Sequence, residues 1–138
     1  MNSKVVGDIS EAAVVAALLK AGYNVLMPFG DRNRYDVVIE HDGKFERVQI
    51  KTGRERRGNV VFNTKSSTRR NGQRHEVGYN GQVEFFAVYD RSRDCVYMVP
   101  VDRCAASKAM LRVDKQKAIS GPKCLMASDF LLKGMEMK

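Results

Sequence analysis

The stretch Arg34-Tyr35-Asp36-Val37-Val38-Ile39-Glu40-His41-Asp42-Gly43-Lys44-Phe45-Glu46-Arg47-Val48-Gln49-Ile50-Lys51 decides the fold. Two runs of β-branched and aromatic residues flank Asp42-Gly43, the residue pair that best fits a two-residue hairpin turn. The pattern predicts one strand over Arg34 to His41 and a second over Lys44 to Lys51. Successive strand side chains point to opposite faces. Val37 and Ile39 therefore share one face, and Asp36, Val38 and Glu40 the other; Val48 and Ile50 share one face, and Arg47, Gln49 and Lys51 the other. The hairpin thus carries an apolar side suited to a core and a side bearing an acid, an amide and an amine.

Upstream, Gly7-Asp8-Ile9-Ser10-Glu11 reads as the opening of a helix, with Asp8 as N-cap and Glu11 three positions on as in a capping box. Strong helix formers continue to Lys20, and Gly22 stops the run. Ile9, Ala12, Ala13, Ala16 and Leu19 form one apolar stripe at helical spacing; Glu11, Val14 or Val15, and Leu18 form the adjoining one. Tyr23 to Met27 reads as a strand ended by Pro28 and Gly30.

Downstream, Asn59 to Asn63 is a short strand, and Thr64 to Gly81, with no apolar period, reads as a long loop. Val83 to Tyr89 and Cys95 to Pro100 are strands joined by a turn at Asp90 to Asp94. Tyr79, Phe85, Phe86 and Tyr89 fall at strand spacing and belong to a core or an interface. Val101-Asp102 is expected to cap a helix running to Met110, and a second short helix is expected near Ser128 to Lys133. Apolar residues between Leu125 and Met137 are expected to serve oligomer assembly. The order is that of an α/β chain, with a helix ahead of a meander.

Composition bounds the answer. With 138 residues, 43% of them hydrophobic, the chain suits one domain with its own core. No apolar run is long enough to cross a bilayer, and the first residues lack the apolar segment of a signal peptide. Cys95, Cys104 and Cys124 are odd in number, widely spaced and without nearby histidine, which argues against a zinc site or a disulfide framework and for a reducing, cytoplasmic setting.

Charge is uneven. Lys51, Arg54, Arg56, Arg57, Lys65, Arg69, Arg70 and Arg74 share their window with one acid, Glu55, so this block holds nearly all of the net charge of +8. A one-sided block of this kind reads as a polyanion-binding surface. Its lysines and arginines, with Arg32 and Arg34, suit DNA phosphates. Asn33, Ser66, Ser67, Thr68, Asn71, Gln73 and His75 suit base edges, and Thr52 and Asn59 join the same candidate DNA surface.

The polar face of the hairpin has a chemistry. Cleaving a phosphodiester calls for a hard cation held by oxygens. Asp36 and Glu11 supply carboxylates, Gln49 an amide oxygen, and Ile50 its main-chain carbonyl. Lys51 brings a compact positive charge to a phosphate oxygen or an attacking water.

Arg34-Tyr35-Asp36-Val37-Val38-Ile39, a hairpin, then Val48-Gln49-Ile50-Lys51-Thr52 resembles the PD-(D/E)XK nucleases. Gly7-Asp8-Ile9-Ser10-Glu11-Ala12 looks like the helix glutamate of Holliday-junction resolvases, and Tyr79 to Tyr89 also fits. Up to about Val101 the chain is most similar to the small group of cyanobacterial group I intron homing endonucleases. The resemblance implies a restriction-endonuclease-like core over about 5–101: a mixed sheet flanked by helices, with a basic DNA-binding insertion over about 53–81 and a helical region over about 102–138. It further implies a magnesium-dependent enzyme, with manganese as a substitute, that acts on double-stranded DNA as a homodimer or homotetramer away from membranes. Its catalytic residues map onto Glu11, Asp36, Gln49 and Lys51. The chain departs from the family pattern in having Tyr35 where a proline precedes the first acid, and Gln49 in place of the second acid. A structure-selective resolvase and a DNA-binding protein with a decayed site remain as alternatives.

Overall fold

The computed structural model describes residues 1–114 and 125–138, with the backbone alone at Thr68 and Arg69. Among the described residues the one long helix, α1 (Ser3–Lys20), begins more than a turn earlier than its sequence signals indicate: Asn2 is the N-cap, and its side chain accepts the Val5 N–H at 2.9 Å. Asp8 and Glu11 therefore stand inside the helix, and the capping-box role expected for Glu11 is overturned. The buried stripe is Ser10, Val14, Ala17 and Leu18, whereas Leu19 is 56% exposed. The bulkier Val14 and Leu18 face the sheet in place of the alanine-rich stripe read from the sequence. Gly22, at φ +97°, ends the helix in a conformation that side chains resist.

The strands are β1 (Asn24–Leu26), β2 (Val37–His41), β3 (Lys44–Arg56), β4 (Asn59–Asn63), β5 (Lys65–Arg70), β6 (Gln73–Gly78), β7 (Phe85–Asp90), β8 (Cys95–Pro100), β9 (Lys108–Arg112) and β10 (Leu125–Met126). Among the described residues eight of them form one mixed sheet, and β5 and β6 form a separate ribbon. Strand β3 organises the whole. Its first part pairs antiparallel with β2, its middle runs parallel to β7 from Val48–Phe85 to Gly53–Asp90, and its end pairs with β4. Gly53 sits where these pairings meet: a Cβ there would lie 2.6 Å from Val60 and 3.1 Å from Val88.

Alternation along the strands separates two cores. Val37, Ile39, Val48, Ala87 and Val96 pack with Val14, Ala17 and Leu18 of α1. Phe62, Phe86, Val88, Tyr97, Val99 and Leu111 fill the opposite side with Tyr79 and Val83. Tyr79 and Phe86 are thus core residues, as the strand spacing suggested.

Three sequence expectations are corrected. The stretch 64–81 is not a loop: β5 and β6 pair from Lys65–Gly78 to Arg70–Gln73, closed by Asn71 and Gly72 at φ 52° and 76°. Among the described side chains neither face of this ribbon is buried in the way a core strand is, and its sequence carries no apolar alternation to betray it; the Asn-Gly turn is its strong signal. The expected helix from Val101 to Met110 is a single 3-10 turn, Val101–Arg103, followed by β9, which buries Ala109 and Leu111 against β4. Pairing with β4 and β10 and burial in the core override the helix preference of Lys, Ala, Met and Leu. Leu125 and Ala127 are buried in one core and Leu132 in the other, with Leu132 N–H donating to the Val96 carbonyl at 2.9 Å, so this segment closes the cores rather than offering an assembly surface. The second helix, α2, is Ala127–Phe130. Cys95 is buried and free, Cys104 is half-buried and free, and Cys124 lies outside the described residues.

Candidate active site

Asp36 lies one step before β2 and donates its own N–H to the Val48 carbonyl at 2.9 Å. Continuing the Val37–Val48 pairing one step places Asp36 opposite Gln49. Its Oδ2 accepts the Ile50 N–H at 2.8 Å, which fixes the carboxylate against β3 and leaves the other oxygen for a cation or water. Asp36, Gln49 and Lys51 are half-buried on the sheet face opposite α1. Burial raises the Asp36 carboxyl above its ordinary pKa; the Ile50 N–H and the Lys51 charge pull the other way. Burial lowers Lys51, opposed by Asp36 and reinforced by Arg34. Desolvation thus works on both partners in the direction that favours neutral forms.

The Lys51 ammonium lies 4.7 Å from the centre of the Tyr79 ring and 5.8 Å from that of Phe86. The aromatic faces give the charge a partner that does not neutralise it. Glu11 comes from the other side of the sheet. It is exposed on α1 and, with Met27, Pro28, Gly30, Asp31, Asn33, Tyr35 and Asp36, lines a cleft of about 240 Å³. The structure therefore brings Glu11 and Asp36 to one cleft around the end of the sheet, while Gln49 and Lys51 flank Asp36 on β3. Sequence reading did not mark Asp31, an acid in a polar loop, as a wall of this cleft.

The donors that face this region are oxygens, the kind a hard divalent cation takes. Among the described residues no three His, Cys, Asp or Glu side chains converge as a ready-made metal cluster. The set is a mixed one of two carboxylates, the Gln49 amide and the main chain at Ile50. It fits a cation that keeps several waters, as magnesium does.

The expected DNA surface divides into groups. Arg32 and Asn33 are exposed in the loop before β2; Arg54, Arg56 and Arg57 are exposed at the end of β3; Ser67, Arg70, Gln73, Arg74 and His75 are exposed on the ribbon. Lys65 lies 3.7 Å from Glu76, and Arg74 donates to Ser67 at 2.8 Å. A polar groove of about 250 Å³ runs between the ribbon and the β4–β9 edge, lined by Asn63, Lys65, Ser66, Ser67, Arg74, Glu76, Ser107 and Lys108. Thr68 and Arg69 lie on β5.

Three expected DNA contacts are instead occupied within the fold. The Thr52 and Ser10 hydroxyls are 2.7 Å apart, joining β3 to α1. Asn59 Oδ1 accepts the Val113 N–H at 3.1 Å. Arg34 donates to Gln82 at 2.5 Å, to the carbonyls of Val77 and Gly78 at 3.1 and 2.9 Å, and to the Ser66 hydroxyl, with its guanidinium 4.0 Å from the Tyr79 ring centre. Its pattern in the sequence, one arginine at the start of an expected strand, holds no hint of this use.

Comparison with known proteins places these features in context. A family model described as PD-(D/E)XK endonuclease matches residues 1–133. The solved structure of a bacterial homing endonuclease, I-Ssp6803I, superposes with a TM-score of 0.78 at 26% identity, covering 95% of this chain and 89% of that one. Protein 5.3 of Escherichia phage T7 is 42% identical over 53 residues, 38% of this chain; the match spans 45% of the phage protein.

Proposed function

From the premise that this chain belongs to the PD-(D/E)XK endonuclease family, we propose that it is a metal-dependent, site-specific endonuclease of homing type that cuts both strands of DNA. The observation that carries this reading is the facing pair of Asp36 and Gln49 with Lys51 beside them, next to the cleft shared with Glu11. The likeness to a homing endonuclease across nearly the whole chain supports the choice within the family.

Asp36, Glu11, Gln49 and the Ile50 carbonyl would hold Mg²⁺, or Mn²⁺ in its place. When bound, the cation supplies Lewis acidity at the phosphate and eases deprotonation of a water. The protein does the rest. Asp36, pinned by the Ile50 N–H, keeps one oxygen aimed into the site. Lys51 sets its ammonium against the charge that builds on the phosphate as water adds and the bond to the leaving oxygen breaks. The neutral Gln49 lowers the negative charge around the cation relative to an acid and makes metal binding weaker.

The exposed basic residues of the β3 end and the ribbon would track phosphates, while Ser67, Gln73 and His75 would reach base edges. The chain would act as a homo-oligomer, dimer or tetramer, since a duplex cut needs two active sites. Leu19, Leu26, Met27 and Phe29, all exposed on or near α1 and β1, support an assembly surface there.

The test is cleavage of a random-sequence plasmid library and of a four-way junction with Mg²⁺, by the wild type, Asp36→Ala and Lys51→Ala. A cut at one library site by the wild type alone, with DNA binding retained in both variants, is the expected result. Junction nicking without a linear site would make the protein a resolvase. A wild type that binds metal and DNA but cuts neither substrate would reduce it to a DNA-binding protein.

A further inference from the structure

Tyr79 is buried in the turn between β6 and β7, where its carbonyl accepts the N–H groups of Gln82 and Val83 at 3.0 and 3.2 Å. Its ring meets Phe86 edge-on at 5.5 Å, and Phe86 in turn meets Phe62 at 5.7 Å, so the ring is anchored in the core. Two cations use this one ring. The Arg34 guanidinium lies 4.0 Å from its centre and the Lys51 ammonium 4.7 Å. Arg34 is the clasp of the basic ribbon: it bonds Ser66 on β5 and the carbonyls of Val77 and Gly78 at the end of β6. Lys51 is the cation of the catalytic strand.

We propose that Tyr79 is a positioning residue, whose ring seats the Lys51 ammonium and, through Arg34, fixes the base of the DNA-binding ribbon relative to it. The function assigned to Tyr79 rests on the nuclease reading of the site. A lysine on a flexible four-carbon stem samples many rotamers in water. A ring face at this distance narrows them without withdrawing the charge. The same ring makes the ribbon and the lysine share one reference point, so DNA held by the ribbon presents its phosphate to a lysine already in place. It is the ring, not the hydroxyl, that these two cations meet.

Two readouts test this. The first needs no activity. In protein with isotope-labelled lysine, the Lys51 side-chain signals, identified by their loss in Lys51→Arg, should carry a ring-current shift. The shift should persist in Tyr79→Phe and collapse toward the exposed-lysine position in Tyr79→Leu. The second is single-turnover cleavage with Mg²⁺ at saturating concentrations of the site that the wild type selects from the plasmid library. Tyr79→Leu should slow the step about tenfold, and Tyr79→Phe should restore it to within about twofold. Tyr79→Met fills a similar space without a ring and replaces the leucine variant if that one loses its melting transition. A folded ringless variant with unchanged rate, or one whose defect lies wholly in DNA affinity, would overturn the proposal. If the wild type cuts no DNA, the nuclease reading fails while the lysine spectrum still judges the seat.

Discussion

The carboxylate of Asp36 accepts the main-chain N–H of Ile50 at 2.8 Å, the residue before Lys51. One side chain thus ties the start of β2 to the backbone of β3, and in the proposed site its other oxygen would also serve the cation. Its two duties separate by mutation. Asp36→Asn keeps an oxygen that can accept from Ile50 but loses the charge, so folding should be near wild type and cleavage abolished. Asp36→Ala should lose cleavage and also about 1–2 kcal/mol of stability, because the Ile50 N–H is left without its partner. Urea midpoints for both variants, beside cleavage assays, check this; equal stabilities would remove the structural duty.

Gln49 offers a gain-of-affinity test. Gln49→Glu restores a charged oxygen opposite Asp36. The Mg²⁺ concentration for half-maximal cleavage should fall several-fold. A midpoint that stays put under a titration with fixed DNA would show that position 49 is not among the oxygens that hold the cation.

The ribbon predicts a salt signature. Arg70 is exposed near the tip formed by Asn71-Gly72. If it neutralises one phosphate, Arg70→Ala should make the slope of log affinity against log salt shallower by about 0.9, with the same loss on specific and random DNA. Binding measured at several salt concentrations reads this directly; an unchanged slope would place the tip away from the backbone.

Stability rests partly on a network remote from the site. Asp90 is buried and accepts the Tyr97 hydroxyl at 2.8 Å, while Arg93 lies 3.0 Å away and also pairs with Glu55. Removing the carboxylate strands the buried Tyr97 hydroxyl, while Arg93 keeps Glu55 and the Gly58 carbonyl. Asp90→Ala should cost about 2–3 kcal/mol, and Tyr97→Phe only about 1 kcal/mol. Chemical denaturation ranks the two; equal losses would refute the network.

Glu84 gives the pH dependence. It binds the Arg47 side chain at 2.5 and 3.0 Å and the Arg47 N–H at 2.7 Å, which holds its carboxyl below the ordinary 4.5. A lowered folded pKa means the contribution is present above about 4.5 and is lost as pH falls through the folded value. The pair is more than one-third exposed, so the effect is small. The stability gap between wild type and Glu84→Gln should be visible at pH 7 and shrink toward pH 3; a gap that grows on acidification would contradict the pairing.

Much of this was legible in the chain. Asp42-Gly43 with its flanking alternation defined the β2–β3 hairpin, because a turn needing positive φ and a two-residue period are local properties. The same alternation put Asp36, Gln49 and Lys51 on one face. The β5–β6 ribbon was not legible from apolar period, since its described side chains bury neither face like a core strand, although Asn71-Gly72 carried the turn. Strand β9 was hidden because helix-forming residues were recruited by β4 across the sheet.

The sequence by itself determined the β2–β3 hairpin with its polar face, the basic block and the family likeness, all of which live in local spacing and composition. Only the tertiary structure decided that Glu11 reaches the cleft from the far side of the sheet. It alone decided that Thr52, Asn59 and Arg34 serve the fold, and that one tyrosine ring meets both Arg34 and Lys51. These depend on which distant elements pack together, and burial of the two cores fixes that, not any single segment of the chain.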